Sequence, residues 1–338
     1  MLTGRVDPSR PHRVLNIRDR AAGRRADVFL ALRFPDWSRS AFARFIREGL
    51  VLCDERPIKP ATTLRHGETL RIFVPGLAPG AAPPPMPPVI FEDDWLLAVD
   101  KPPGMLMHPV GQRYAYALVG LAREARPDAH IDLSHRLDRD TSGVVLLTKR
   151  EEANRHMKGC FMRRRVQKVY LALVRGVVPW DDLEIDAPLG HAAGSEVQLR
   201  RGHDPAGETA HTRVEVRQRL AAHTLVACFP TTGRTHQIRA HLEHAGFPIL
   251  GDKLYGQPDS VFLEVLEQGV TERVRALVGF PRQALHAHAL SFPHPATGQV
   301  VKVTAPLAPD MAGVVAGAAP SFELAAYANE ESADASAE

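Results

Sequence analysis

Two carboxylates stand two residues apart among arginines, directly before an apolar segment. The run is His135-Arg136-Leu137-Asp138-Arg139-Asp140-Thr141-Ser142-Gly143, and the apolar segment Val144–Leu147 follows it. A carboxylate beside a buried strand needs a partner, because burying an unpaired charge is costly. The neighbouring arginines could supply that partner in a salt-bridged turn. The same residues could equally form an acidic catalytic centre, and this run alone favours neither interpretation.

A second polar run combines a glycine with groups that bind anions or protons. Its sequence is Thr231-Thr232-Gly233-Arg234-Thr235-His236-Gln237-Ile238-Arg239-Ala240-His241. Gly233 permits a tight turn, and Thr235 is predicted to cap a helix whose first turns carry Gln237, Arg239 and His241. The histidines could suggest zinc, but no matching carboxylate or cysteine completes a ligand set, and the HExxH pattern is absent. We therefore predict no metal site.

The segments around these runs predict strands and helices that must position them. Strands are predicted at residues 95–99, 143–148, 168–174, 212–216, 224–227 and 300–304. Helices are predicted at residues 150–163, 235–245 and 261–266. The many strands favour an α+β fold over a strict alternation of strands and helices.

Composition divides the chain into five regions. They are a loose N-terminal arm (1–22), a small module (23–76), a proline-rich linker (77–88), the large mixed domain (89–312) and a disordered acidic tail (313–338). Proline removes backbone donors and favours extended backbone, so the linker cannot belong to a central sheet. The two polar runs therefore both fall in the large domain.

Overall composition is that of an ordinary globular protein. Of the 338 residues, 44% are hydrophobic and 24% are charged, and neither a membrane-spanning segment nor a signal peptide is predicted. The three cysteines form no CxxC pair, which argues against a disulfide framework. Arginine outnumbers lysine by 35 to 7. Arginine suits phosphate contacts, although a bias in the coding sequence explains the excess as well.

The small module carries three arginines near one predicted helix, Ala41–Glu48. Arg44 and Arg47 share a face of that helix, and Arg39 lies toward its start, where Ser38 or Ser40 could cap it. On charge alone, a solvated basic helix is the simpler interpretation. The pattern that follows, with Val51, Pro57, Lys59-Pro60, Leu64, Gly67-Glu68 and Leu70-Arg71-Ile72, resembles the S4 RNA-binding domain. That resemblance implies that Arg39, Arg44 and Arg47 bind RNA phosphates.

Several motifs in order resemble the RluA family of pseudouridine synthases. They are HRLDRDTSG at 135–143, DKPPG at 100–104, KVYLALVRG at 168–176, GRTHQIRAH at 233–241 and the segments at 246–256, 285–292 and 305–307. The resemblance covers about residues 23–310. It implies a mixed, mainly antiparallel sheet, with a small N-terminal α/β RNA-binding domain in front of it. It also implies the conversion of uridine to its C-glycoside isomer, a reaction that needs no cofactor.

The resemblance assigns roles to individual residues. Asp138 is the catalytic carboxylate, which either attacks the sugar or removes a sugar proton. Arg239 holds and orients that anion, and Tyr170 stacks on the uracil and relays a proton. Arg136 either fills the space that the flipped base leaves or pairs with the base that has lost its partner. His135 and Gln237 are placed at the substrate, although His135 could instead be a structural hydrogen bonder.

The family resemblance also implies the partner and its location. An N-terminal module of this type favours 23S ribosomal RNA as the substrate, with transfer RNA as the alternative. A non-catalytic RNA-binding or ribosome-assembly factor is a further alternative, and it would be expected to lack Asp138, Tyr170 or Arg239. We expect a cytoplasmic monomer with no membrane association.

Overall fold

The computed structural model of the protein describes residues 13–17, 22–34, 39–73, 84–108, 117–319 and 322. The chain divides into two compact units, each treated by itself below. The smaller is formed by Met1–Met86 with His108–Ala125, and the larger by Pro87–Met107 with Arg126–Glu338. The division at residue 86 falls inside the predicted linker, of which residues 77–83 lie outside the described residues. The described residues 108 and 117–125 were predicted in the large domain, whereas the division of the chain groups them with the smaller unit.

Within its described residues, the smaller unit contains a four-stranded antiparallel sheet and three helices. Its strands are β1 (Arg13–Asn16), β2 (Val51–Cys53), β3 (Arg56–Pro57) and β4 (Thr69–Ile72), in the spatial order β1-β4-β2-β3. Its helices are α1 (Ala26–Arg33), α2 (Arg39–Arg47) and α3 (Leu118–Ala125). Apolar side chains from α1, α2 and the sheet, among them Leu30, Phe42 and Leu70, are fully buried in one core.

Two details of this unit correct the sequence analysis. Strand β1 lies within the predicted arm, so the arm prediction is wrong for residues 13–16, which pair with β4. Such pairing joins distant residues and leaves no mark on local composition. Helix α2 begins at Arg39, so Ser40 lies inside the helix and does not cap it, whereas Ser38 is outside the described residues.

The larger unit is built on a ten-stranded sheet. Its strands are β5 (Val89–Glu92), β6 (Leu96–Lys101), β7 (Asp132–Leu133), β8 (Ser142–Thr148), β9 (Gln167–Arg175), β10 (Asp182–Asp186), β13 (His211–Arg219), β14 (His223–Pro230), β15 (Leu285–Pro293) and β16 (Val300–Thr304). Two further strands, β11 (Leu189–His191) and β12 (Arg201–His203), form a separate pair. The main order is β10-β13-β14-β9-β15-β8-β6-β5. Strands β15 and β8 pair in parallel, and the other described pairs are antiparallel. The α+β class and the mainly antiparallel sheet are confirmed.

Five helices accompany this sheet. They are α4 (Glu151–Met162), α5 (Gln237–His244), α6 (Asp259–Gln268), α7 (Glu272–Val278) and α8 (Pro309–Val315). Helix α4 shows why such segments fold, because Ala153, Met157 and Cys160 share one face and are fully buried against the sheet. A fully buried side chain of the size of Met157 contributes about 2 kcal/mol. No helix in the described ranges is both long and apolar enough to span a bilayer.

Helix α8 corrects the predicted boundary of the tail. The disordered tail was predicted from residue 313, but α8 continues to Val315, and both Met311 and Val314 are buried in the main core. The alanine-rich composition of this segment hides two well-spaced core residues. Residues 320–321 and 323–338 lie outside the described residues.

The middle of the large sheet brings the two polar runs toward each other. Ala287 of β15 is in register with Gly143 of β8 on one side and with Tyr170 of β9 on the other. The turn that carries Asp138 leads directly into β8, so it starts two strands away from Tyr170. The sheet thereby places the first polar run beside the strand that carries the tyrosine.

Candidate active site

A pocket of about 120 Å³ lies in the larger unit where the two polar runs meet. Its walls comprise Arg136, Leu137, Asp138, Thr141, Lys168, Tyr170, Pro230, Thr232, Gly233, Arg234, His236, Gln237, Ile238, Arg239 and Leu285. The side chain of Asp138 is 32% exposed, so its carboxylate is accessible from the pocket. The pocket therefore presents one accessible carboxylate within a partly apolar wall.

Arg239 links this carboxylate to a second, buried one. Its Nε and Nη2 atoms donate to the two oxygens of Asp252 at 2.6 and 2.9 Å, and its Nη1 atom donates to Asp138 Oδ2 at 2.9 Å. Burial alone would lower the pKa of Arg239, but the charges of Asp252 and Asp138 raise it above its usual value. The guanidinium is therefore a permanent cation in contact with Asp138.

Asp252 fixes the direction in which Arg239 points. The Asp252 side chain is fully buried, and its Oδ1 atom also accepts hydrogen bonds from the backbone N–H groups of Leu254 and Tyr255. The ring of Tyr255 packs against the guanidinium, 4.9 Å from its carbon atom. Because Asp252 engages Nε and Nη2 of Arg239, Nη1 is left to reach Asp138 on the pocket wall.

The backbone of the turn around Asp138 is held by two buried basic side chains. The Nζ atom of Lys101 donates to the carbonyl of Arg139 at 2.9 Å and also to the carbonyls of Pro102 and Met105. Arg282 is paired with Asp310, and its Nη1 atom donates to the carbonyl of Asp140 at 3.3 Å. The sequence analysis offered a salt-bridged turn or an acidic catalytic centre for this run. The run has features of both, because Asp140 pairs with Arg139 within the turn, and Asp138 pairs with Arg239 while it remains accessible from the pocket.

The larger unit matches a known enzyme family. Residues 95–244 match the model of the RNA pseudouridylate synthases, and residues 24–70 match that of the S4 domain. The chain is 37% identical over 300 residues to "Ribosomal large subunit pseudouridine synthase D" of Xanthomonas campestris, covering 87% of this chain and 88% of that protein. The chain belongs to the RNA pseudouridine synthase family. The predicted RluA-type resemblance and the S4 module are thus confirmed.

Further comparisons agree with this assignment. "Ribosomal large subunit pseudouridine synthase C" of Escherichia coli (strain K12) is 36% identical over 301 residues, covering 85% of this chain and 90% of that protein. The solved structure of "Human RNA Pseudouridylate Synthase Domain Containing 1" matches with a TM-score of 0.54 and 24% identity, covering 74% of this chain and 94% of that chain. The latter likeness concerns the fold alone.

Tyr170 lies on the pocket wall of the synthase as the sequence analysis placed it. It belongs to β9, and its side chain is partly accessible. Burial, and next the negative charge of Asp138, raise the pKa of Tyr170 above its usual value. The phenol therefore keeps its proton at neutral pH, so it is available as a hydrogen-bond donor or as an acid.

Three cationic side chains besides Arg239 lie on the pocket wall. Arg136 is exposed, and Arg234 pairs with Glu208 at 2.7 Å. Lys168 donates to the carbonyl of Thr232, and burial followed by the charge of Arg164 lowers the pKa of Lys168 to about 8. The pocket of the synthase is thus bordered by positive charge suited to the phosphates of a polynucleotide.

His135 and Gln237 have structural positions that differ from the substrate-binding prediction. His135 Nε2 accepts the backbone N–H of Leu146 at 3.0 Å, and His135 is not on the pocket wall, which agrees with the structural alternative. Gln237 is on the wall, but it is buried, and its amide makes four hydrogen bonds with the loop and β13. Those bonds occupy both polar atoms of the Gln237 side chain and stabilise the loop at residues 231–235.

The start of helix α5 also differs from the prediction. His236, and not Thr235, is the N-terminal boundary residue, with φ +57° and no side-chain cap. His241 binds Thr212 Oγ1 through Nδ1 and the carbonyl of Ala187 through Nε2, so both of its nitrogens serve the core. The sequence missed the roles of Asp252 and His236, although Asp252 follows Gly251 in one of the motifs.

The three arginines of α2, in the smaller unit, are all exposed, but they are not equivalent. Arg39 pairs with the buried carboxylate of Asp27 at 3.0 Å, and Arg44 lies 3.9 Å from Glu48. Arg47 is exposed at the end of the helix. Arg39 therefore stabilises the module itself, which weakens the prediction that it binds phosphate, whereas Arg44 and Arg47 remain candidates.

Proposed function

We propose that this enzyme isomerises uridines of large-subunit ribosomal RNA, in the 23S molecule, with Asp138 as its catalytic carboxylate. The observation that carries the proposal is the contact between Asp138 and Arg239 inside a pocket that also contains Tyr170. Two relatives that match over most of this chain have names that specify the ribosomal large subunit. The S4 domain supports RNA as the partner.

The chemistry requires few groups. The N1–C1′ bond of the uridine breaks, the uracil rotates and a C5–C1′ bond forms, after which the proton on C5 leaves and N1 gains one. Hydrolysis of a glycoside uses two carboxylates and a water, whereas this isomerisation uses one carboxylate and benefits from excluding water. Asp138 either bonds to C1′ or removes a proton from C2′, and the arrangement suits both routes.

The neighbouring groups divide the remaining work. Arg239 pairs with the Asp138 carboxylate through Nη1 and so orients it within the pocket. Tyr170 presents a ring that can stack on the uracil, and its retained proton suits late transfer to or from the base. Arg136, exposed at the pocket, can occupy the space that the flipped nucleotide vacates.

The further expectations belong to the same proposal. Arg44 and Arg47 of the S4 domain contact RNA phosphates outside the target site, and the protein works as a cytoplasmic monomer without a metal ion. Transfer RNA is the alternative substrate. A purely non-catalytic role is not favoured, since the three residues whose loss would indicate it are present and face one pocket.

The test replaces Asp138 in cells and in the purified enzyme. Pseudouridine mapping of total RNA compares cells with the gene, without it and with the D138N version. We expect at least one site in 23S RNA to be lost equally in the last two. If every ribosomal RNA site survived while a transfer RNA site disappeared, the substrate assignment would be wrong.

The purified variants separate catalysis from binding. D138N is expected to lower the single-turnover rate at least about 100-fold while it still binds the RNA. D140N is the matched control, because the Asp140 carboxylate pairs with Arg139 and is not on the pocket wall. We expect D140N to retain most turnover. Normal turnover by D138N would overturn the assignment of the catalytic residue.

A further inference from the structure

His236 occupies a backbone conformation that is uncommon for a residue with a side chain. Its φ and ψ angles are +57° and +18°, in the left-handed region, at the junction between the loop and helix α5. Such conformations cost energy and occur often where a side chain must be aimed at a ligand. Here the side chain is on the pocket wall and is only 12% exposed.

The hydrogen bonds around His236 fix which of its nitrogens carries the proton. The backbone N–H of Arg201 donates to the Tyr255 hydroxyl at 2.9 Å, and that hydroxyl lies 3.1 Å from His236 Nδ1. In the described part of the chain, the hydroxyl proton has no other acceptor within hydrogen-bond distance. It is therefore donated to Nδ1, and the imidazole carries its own proton on Nε2.

This Nε2–H group faces the catalytic carboxylate across a gap. The distance from His236 Nε2 to Asp138 Oδ2 is 3.9 Å, which is too long for a hydrogen bond. Burial, and then the charge of Arg239, lower the pKa of His236 to about 4, so the ring is neutral at neutral pH. A neutral donor and an anionic acceptor are thus held side by side on the pocket wall.

We propose that His236 binds the ribose of the target uridine by donating Nε2–H to its 2′-hydroxyl, which in turn donates to Asp138. A group that lies between this donor and this acceptor must both accept and donate a hydrogen bond. Next to C1′ of a uridine, the 2′-hydroxyl does both, whereas the O2 carbonyl of uracil only accepts. This inference rests on the proposed function and extends it to the group that distinguishes RNA from DNA.

The test compares two substrates with two forms of the enzyme. The probe is an RNA oligonucleotide around the uridine that mapping identifies, with either uridine or a single 2′-deoxyuridine at the target. Wild-type enzyme is expected to process the deoxy substrate about 5- to 10-fold more slowly in single turnover, the effect of about one hydrogen bond. H236F is expected to be slower on the uridine substrate and to show a smaller 2′-deoxy effect than the wild-type enzyme, since it lacks the N–H group that binds the hydroxyl while Asp138 still accepts from that hydroxyl.

Two further variants keep the result interpretable. H244Q is the matched control, because His244 is an exposed histidine on the same helix and not on the pocket wall, and it should keep the full 2′-dependence. Y255F removes the hydroxyl that fixes the tautomer but keeps the ring beside Arg239, so it should weaken the dependence. If H236F does not fold, the 2′-deoxy effect in Y255F tests whether His236 binds the 2′-hydroxyl.

The outcomes separate this inference from the proposed function. If folded H236F retained the whole 2′-deoxy effect, or if Y255F left the effect unchanged, the assignment of His236 to the 2′-hydroxyl would be overturned. Wild-type turnover of the uridine substrate would meanwhile still support the proposed function. Absence of turnover in the wild-type enzyme on every mapped RNA would instead contradict the proposed function itself.

Discussion

Arg239 lies between two carboxylates that differ in exposure, and this difference separates their roles. Asp252 is fully buried and binds Nε and Nη2 of the guanidinium, whereas Asp138 is partly exposed and binds Nη1. A buried ion pair contributes little net stability, because desolvation offsets most of its attraction. Its value here is geometric, since it fixes the position of the cation that orients Asp138.

Replacing Asp252 with asparagine should therefore affect both rate and stability. Removing one partner of a buried pair costs about 3–5 kcal/mol of unfolding free energy, and a misplacement of about 1 Å at a reacting centre costs roughly 100-fold in rate. D259N is the control, because it removes a carboxylate that pairs with Arg200 away from the pocket. Urea unfolding and single-turnover rates measure the two effects, and a normal rate in D252N would contradict this role.

Sequence motifs identified the residues that line the pocket better than those that support them. Asp138, Arg239 and Tyr170 were found, and the structure places them around one pocket. The relation between Asp252 and Arg239 was not found, because it depends on the tight turn at Gly251 that directs the carboxylate inward. The orientation of His236 likewise depends on a left-handed backbone that the residue type does not favour.

At the scale of elements, strands β8 and β15 of the catalytic unit approach each other closely at Gly143. Gly143 has φ +106°, and a Cβ atom there would lie 2.2 Å from the carbonyl oxygen of Ala287. This glycine permits the parallel pairing that joins the end of the Asp138 turn to the strand beside Tyr170. A methyl group at this position must therefore separate the two strands.

We expect G143A to lower the unfolding free energy by at least about 2 kcal/mol, through overpacking added to backbone strain, and to reduce turnover. G298A is the matched control, since Gly298 also has a positive φ, of +71°, but a Cβ there meets nothing within 4 Å. The control should lose only about 1 kcal/mol. Chemical denaturation compares them, and equal losses would show that close packing at Gly143 is unimportant.

The elements that sequence patterns missed share physical causes. Strand β15 was indicated by the family resemblance at residues 285–292 but not by the apolar pattern, because the fully buried His286 interrupts that pattern. Helices α7 and α8 have seven residues each, too few to repeat a helical period clearly. The longer elements β8, β9 and α4 were predicted within about two residues of their observed ends, because each presents a continuous apolar strand or face.

At the scale of the whole molecule, buried histidines connect stability to pH. Burial above all lowers the pKa of His135, His236 and His286 to about 4, whereas an unfolded histidine titrates near 6.5. The unfolded chain therefore binds more protons than the folded protein between these values, so the free energy of unfolding decreases as the pH falls through that window.

The expected loss is at most about 3 kcal/mol for each of these histidines between about pH 6.5 and 4. Urea unfolding across that range measures it. H286Q should flatten the pH dependence, because it removes one buried titrating group, whereas H244Q, at an exposed position, should leave the slope unchanged. A slope that is the same in all three proteins would contradict the assignment.

The turn around Asp138 is completed by residues that come much later in the chain. Arg239 is 101 residues beyond Asp138, and Arg282, which binds the carbonyl of Asp140, is itself held by Asp310. Translation delivers the chain from its N-terminus, and domains fold as units. While a ribosome is still synthesising the protein, the emerging carboxylate lacks its guanidinium and its backbone supports. Competence to modify RNA thus arises at the end of synthesis, when almost the whole catalytic unit has left the ribosome.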